Sequence, residues 1–558
     1  MKEENNMHKR LLCGVLALMM TACATSCGPG RSSASGDNGA SVAKVNDPYT
    51  PYDDVITLTK GATVIGAGSL PSGDDFGNNV FTRYLENTQN IKTEVAWSVD
   101  SSTYNSKVAM CITSGSIPDI LVVNRSIFNQ LVENDLVADL TQAYADCISP
   151  FLKEQYDSYD HNLFEQVTVD GKLMGLPSPS LNNCQNVLWI RSDWLGKTGL
   201  DVPKTLEDVE KLARTFQQMK LGGDNTVGIT TTSDLYGGYN SSWGLDTIFS
   251  YYDAYPGVWL EKNGAPVYGS TQPEVKNALS TLRRWYAEGI LDREFAVRDE
   301  SARQSLIGKG QCGMYFGVWW PSNGVADAVE LDENADWIAV SAPLDGEGRL
   351  KSPQNDPLQE IVVVSKNCAH PEAVIKALNA GYDVLRCNTS STNPYAEEAA
   401  EAYNYFFETS PQAWGAMTVD IEVNYSDVVG RVAKDLNAAV EAQDPSLLTV
   451  AGYEASYEYI LYDVLHPKEN RVYYHERLAR IVGAAAASDG TLKLVPTCFY
   501  GTTRTMSTLW SSLKKMENDA MLKIVMGEEP VDSYDKFVEK WKSAGGNQIT
   551  AEVKQAIS

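Results

Sequence analysis

The sequence predicts an α/β chain whose N-terminal part opens a doubly wound sheet. Two observations carry this. Strand-like and helix-like segments alternate as βαβαβ within about seventy residues, the pattern that builds a parallel sheet covered by helices. Apolar runs suited to sheet interiors then return far downstream, at Cys312-Gly313-Met314-Tyr315-Phe316 and Glu360-Ile361-Val362-Val363-Val364-Ser365.

In order, Ala62-Thr63-Val64-Ile65-Gly66 reads as the first strand. Gly77 to Asn87 places Val80, Tyr84 and Leu85 at helical spacing, and Ile91 to Trp97 alternates as a second strand. A helix over Tyr104 to Thr113 leads to Pro118–Val123, an apolar run of the kind buried in a parallel sheet. Asp170-Gly171, between Val167-Thr168-Val169 and Lys172-Leu173-Met174, is a two-residue hairpin signal. Val187-Leu188-Trp189-Ile190 starts another strand, with helices near Ser192–Thr198 and after Thr205, where Thr205 and Asp208 resemble a capping box. From Pro371 onward the periodicity is mostly helical.

The N-terminus carries an address. Lys9-Arg10 precede the apolar run Leu11–Met20, and small residues and cysteine follow, as in a secretory signal peptide. Cys23 and Cys27 both have the small preceding residues of a lipoprotein processing site. Cys27 is favoured, because it leaves a more usual apolar length and is followed by the Gly/Ser tract Gly28–Gly36, suited to a tether. A plain, cleaved signal peptide is the alternative.

The chain has 558 residues, 43% of them hydrophobic, enough for two large domains. Its formal net charge of -26 would repel phosphate backbones, so no nucleic-acid partner is expected. Cys111, Cys147, Cys184, Cys312, Cys368, Cys387 and Cys498 are widely spaced and odd in number, which argues against a disulfide framework. Beyond the leader, His161, His370, His466 and His475 form no metal-binding spacing, and no GxSxG elbow, P-loop or GxGxxG fingerprint occurs. Acidic pairs such as Asp53-Asp54 and Asp74-Asp75 read as solvated surface. No catalytic residue, cofactor or metal is expected.

Four stretches, in order, resemble one family: Val169–Pro177; Leu188–Leu195 with Val202–Asp208; Ile307–Met314 leading to Trp319-Trp320; and Phe499–Thr503 running to Ile524–Gly527, with Phe537–Trp541 after it. Together they make the chain similar to the extracellular solute-binding proteins of family 1, the sugar receptors of ABC importers, and in particular to their large Gram-positive lipoprotein branch. Many members of that branch carry an Asp/Asn-rich calcium loop where this chain has only Asp224-Asn225, too few oxygen ligands for calcium.

The resemblance implies an α/β, two-lobed periplasmic-binding-protein-like fold (type II solute-binding protein) with a hinge and a ligand cleft between the lobes. The expected divisions are a signal peptide at 1–27, a tether at 28–50, lobe one at 50–177 plus 320–362, and lobe two at 178–318 plus most of 366–550. The chain should cross near Pro177–Asn186, Gly317–Pro321 and Ile361–Lys366. The implied function is capture of a carbohydrate, an oligosaccharide, by a lipid-anchored protein on the extracellular face of the cell membrane. The implied partners are the permease subunits and the membrane through the lipid, with the chain a monomer. A receptor for peptides or another solute, or a surface glycan hydrolase, is the alternative.

Sugar sites combine aromatic platforms with polar side chains. Trp319 and Trp320 align with the receptors' tryptophan position. Tyr236, Tyr239 and Trp243 lie in a Gly/Ser-rich loop; Asn182 is at the expected hinge; Asn124 ends the third strand; Asp75 follows the first; Trp414 sits in a polar helical stretch. These nine are the expected ligand contacts, and Trp97, Trp194, Trp259 and Trp541 are expected to pack.

Overall fold

A computed structural model describes residues 44–64, 70–159, 162–180, 186–237, 242–410, 413–450 and 452–557. Two principal sheets organise them. The first contains β1 (Ile56–Thr63), β2 (Ile91–Val99), β3 (Ile120–Val123), β4 (Leu176–Pro179) and β9 (Leu358–Val364), in the order β2-β1-β3-β9-β4. The second contains β5 (Val187–Arg191), β6 (Val227–Thr230), β7 (Cys312–Gly317) and β8 (Trp337–Val340), in the order β8-β5-β7-β6. Each sheet is the centre of one lobe.

In the first sheet β1 runs parallel to β2 and β3, while β9 is antiparallel to β3 and β4. The first strand begins earlier than expected. Ile56-Thr57-Leu58-Thr59 alternates apolar and polar, so Ile56, Leu58 and Lys60 share the buried face. The first helix, Val80–Gln89, is started by Asn79, which forms a capping box with Thr82. The Asp170-Gly171 hairpin forms, with φ of 51° and 75° at the two turn residues, the positive pair a type I′ turn requires. Thr205 and Asp208 make their capping box.

The second sheet is buried on both faces. Leu188, Ile190, Met314 and Phe316 point into one core, and Val187, Trp189 and Tyr315 into another. This is why the sequence shows continuous apolar runs there rather than alternation. The first of these cores takes the C-terminal helices Met506–Val525 and Ser533–Trp541; the second takes Tyr474, Leu478 and Ala484.

Strand pairing and helix packing depart from the expected lobe divisions at two places. Residues 337–340 pair with β5 in the second sheet, not with the first, and Trp337 packs against Tyr315 there. The chain therefore leaves the second sheet after β8 rather than at Gly317–Pro321. The Pro371–Leu385 helix packs on the first lobe, where Tyr52 donates to Glu372 and Asn379 donates to the Cys147 carbonyl. Residues 413–420 stay there too. Lys60 donates to the Met417 carbonyl, Asn79 to the Ala416 carbonyl, and Thr93 pairs with Thr418. Hydrophobic period tells which face of an element is buried but not which partner covers it, so these placements were not readable from the sequence.

Candidate functional site

In open α/β sheets ligands bind beyond the carboxyl ends of the strands. There, at the ends of β1 and β3, lies a cavity of about 280 Å³. Its floor is made by Lys60 through Thr63 of β1 and by Val122 and Asn124 at the end of β3. Ser101, Tyr104 and Asn105, from the start of the Ser101–Ser114 helix, line it with Phe76, Glu360 of β9, Gly415 and Asp420.

The local backbone explains this shape. Pairing between β1 and β2 slips by one residue between Lys60 and Gly61, leaving Ala96 unpaired, and the bulge lays the Trp97 ring over Gly61. A Cβ at Gly61 would lie 2.4 Å from that ring, so only glycine fits. Trp97 packs in turn on Tyr104 at 5.3 Å, which orients the helix that closes the cavity. Tyr104 also accepts a hydrogen bond from the Val122 amide.

Three charged side chains meet here. Lys60 is only 3% exposed; its ammonium donates to the Met417 carbonyl at 2.6 Å and stands 5.7 Å from the Phe76 ring. Burial lowers its pKa, and Asp420 opposes that shift. Burial pushes the Asp420 carboxyl up to about 6 against the pull of Lys60, with Glu360 adding to the rise. Glu360 lies at the exposed edge of the cavity, where desolvation raises its carboxyl too. The site therefore offers two aromatic rings, two carboxylates and the carboxamides of Asn105 and Asn124. That equipment suits hydroxyl recognition.

Two further cavities adjoin the lobes. One of about 590 Å³ is lined by Asp234, Tyr236 and Gly237, by Pro256–Val258, by Asn355, and by Lys514, Lys515, Asn518 and Asp519 of the Met506–Val525 helix. Tyr236 is anchored there: its hydroxyl donates to Glu517 and accepts from Lys514. Another, of about 350 Å³, lies between the Arg125–Glu133 helix and Tyr500-Gly501-Thr502, with Asp356 on its wall. Arg125 crosses it to bond Gln166 and Asp356.

The expected ligand residues distribute unevenly. Asn124 lines both the first and the third cavity, although its Oδ1 also caps the helix by accepting from the Ile127 amide. Tyr236 lines the second. Asp75 is exposed and folds back to accept from the Gly77 and Asn78 amides; its neighbour Phe76 is the residue that reaches the cavity. Trp414 opens the short turn Trp414–Ala416 that brings Gly415 to the cavity wall. Tyr239 and Asn182 lie outside the described residues, as do Cys23 and Cys27.

Two tryptophans require correction. Trp243 is 3% exposed, lies 4.7 Å from Tyr315, and donates its indole N–H to Glu300. It belongs to the second sheet's core: the loop's Gly/Ser content gave no sign that its last aromatic turns inward. Trp319 is also largely buried, under the Arg480 guanidinium at 4.8 Å, and its carbonyl lies so close to Gly483 that a Cβ there would be 1.8 Å away. Trp320 stands edge-on to it and is 42% exposed, so of this pair it is the ring with a free face. Trp194, Trp259 and Trp541 are buried as expected.

Sequence reasoning missed Lys60, Phe76, Tyr104, Glu360 and Asp420. One signal was available: Lys60 falls on the inward face set by Ile56 and Leu58, an expensive place for an ammonium without a task.

Comparison with known proteins gives the family. The polygalacturonan/rhamnogalacturonan-binding protein YtcQ of Bacillus subtilis is 23% identical over 485 residues, covering 85% of this chain and 87% of its own. Lipoprotein LipO of the same organism is 22% identical over 480 residues, covering 84% and 87%. A solved extracellular solute-binding protein from Bifidobacterium longum subsp. infantis shares the fold, with a TM-score of 0.59 at 15% identity over 91% of this chain and 98% of that one. A model of the bacterial extracellular solute-binding protein family matches residues 67–382, more than half of the chain, and the protein belongs to that family.

Proposed function

We propose that the protein is the extracellular receptor of an ABC importer and captures an oligosaccharide between its lobes. The observation that carries this reading is the cavity at the ends of β1 and β3, whose lining combines Phe76 and Tyr104 with Glu360 and Asp420. Ring faces stack on sugar C–H surfaces while carboxylates and carboxamides take the hydroxyls. The relative YtcQ is named for binding a polysaccharide, which supports carbohydrate as the broad class and leaves the kind of sugar unit open. No bond is broken in this account: the two carboxylates act as hydrogen-bond acceptors. Trp320 and Tyr236 contribute from the second lobe.

In this reading Cys27 carries the lipid, supported by the leader's apolar run and by the relative named as a lipoprotein. The anchor holds the receptor at the outer face of the membrane, beside the permease subunits that accept its cargo. Lobe one then takes residues 44–180 together with 358–424, and lobe two takes 186–340 with most of 428–557.

The test is thermal unfolding of the protein over a panel of oligosaccharides and a panel of peptides. A ligand that binds only the folded state raises the melting temperature in proportion to its saturation. Oligosaccharides should raise it. Stabilisation by peptides and by no glycan would place the protein in another solute class.

A further inference from the structure

Resting on the carbohydrate reading above, we propose that this cavity selects glycan segments free of carboxylates and rejects uronate units. The argument is a charge inventory of the lining. Lys60 contributes one positive charge, Glu360 and Asp420 one negative charge each, so the lining sums to minus one when all three are ionised. The single cation is spent: it is 3% exposed, bonded to the Met417 carbonyl, and faced by Asp420. Glu360, by contrast, is exposed at the cavity's edge.

Of the cations nearby, Lys107 stands 5.8 Å from the Trp97 ring, and two arginines are committed to carboxylates. Arg83 pairs with Asp74 at 2.9 Å, and Arg125 with Asp356 at 2.8 Å. In the cavity beside Tyr236, Lys514 bonds the Tyr236 hydroxyl and Lys515 pairs with Asp519 at 3.2 Å, with Asp234 on the same wall. A sugar carboxylate entering the first cavity would meet Glu360 and Asp420 without a free ammonium or guanidinium in the lining to receive it. Like charges brought together at a desolvated site cost affinity, and an uncharged hydroxyl at the same place would instead donate to those carboxylates. The -26 net charge of the chain works in the same direction during encounter.

The groups facing Asp420 are Lys60, Glu360 and the hydroxyls of Tyr104 and Tyr382, and burial pushes its carboxyl up to about 6 with Glu360 shifted the same way. Lowering pH from 8 to 5 therefore removes negative charge from the lining, while a uronate, with an ordinary carboxyl pKa, stays ionised.

The experiment is calorimetry on the full chain with uronate-containing oligosaccharides, each paired with its carboxyl-reduced neutral counterpart, at pH 8 and pH 5. The neutral member should bind about tenfold or more tightly at pH 8. That ratio should shrink severalfold at pH 5, and also in Glu360→Gln at pH 8. Equal or tighter binding of the uronate member overturns the proposal, and so does a ratio unchanged by both Glu360→Gln and pH. Binding of peptides with no glycan binding of either kind defeats the carbohydrate reading itself, which separates that failure from a preference for uronates.

Discussion

Glu517 holds the second lobe's cavity wall together, and replacing it with leucine should be costly. The side chain is fully buried on the Met506–Val525 helix. Its carboxylate accepts from the Tyr268 hydroxyl at 3.0 Å, from Ser270 Oγ at 2.5 Å, and from Tyr236. Glu517→Leu keeps the approximate volume but strands these donors. All three hydroxyls lose their acceptor, while each keeps a donor: Lys514 for Tyr236 and Tyr268, and the Gly257 amide for Ser270. An unsatisfied buried polar group costs roughly 1–3 kcal/mol, which gives about 3–9 kcal/mol for the three, less the share their remaining partners recover. Removing the desolvation cost of the carboxyl, whose pKa burial raises well above the usual range, offsets part of this. A net loss of about 2–4 kcal/mol is expected. Urea unfolding followed by tryptophan fluorescence reads it locally, because Trp259, Trp510 and Trp541 all pack on Tyr268. Tyr268→Phe should cost about 1 kcal/mol alone and less in the Glu517→Leu background, where only the longer bond from Lys514 at 3.3 Å is left to lose. Stability of Glu517→Leu within about 0.5 kcal/mol of wild type would refute the assignment of these bonds as satisfied and mutually dependent.

Glu210 gives a pH prediction. Arg284, Arg214 and the Trp285 indole hold its carboxyl down at about 2, from an ordinary 4.5. A depressed carboxylate stabilises above its unfolded pKa and loses that contribution as pH falls through the folded one. Glu210→Gln should therefore be less stable than wild type by about 1–2 kcal/mol at pH 7, the gap closing between pH 4.5 and 2 in denaturant titrations at each pH. For the anchor, Cys27→Ser should abolish fatty-acid labelling and shed the protein into the medium; labelling that survives it and vanishes with Cys23→Ser would move the site. Asp224 is exposed and paired with Lys220, so EDTA should leave the melting temperature unchanged, and a fall of several degrees reversed by calcium would reveal ligands elsewhere.

Much of the fold was legible because strand and helix periods are local. Val187–Ile190 and Cys312–Phe316 announced a buried sheet through unbroken apolar runs, and Asp170-Gly171 and Thr205–Asp208 announced a hairpin and a helix start through residues whose chemistry suits little else. The site was less legible because it is assembled from residues hundreds of positions apart. Nothing near Lys60 in sequence indicates that Met417 and Asp420 will cover it, and nothing near β9 indicates that Glu360 will line the same cavity as Phe76. Composition misled at Trp243, where a Gly/Ser-rich loop delivers an aromatic to the core, and at Trp319, whose exposed neighbour carries the free face.

The central claim is that a glycan seats at the ends of β1 and β3 against Phe76. Calorimetric titration of the tightest-binding oligosaccharide into Phe76→Ala tests it directly. Burying such a ring against a ligand is worth about 1.5–3 kcal/mol, so affinity should fall roughly ten- to a hundredfold, with the melting temperature of the unliganded protein little changed. Wild-type affinity in Phe76→Ala would place the ligand elsewhere and contradict the account.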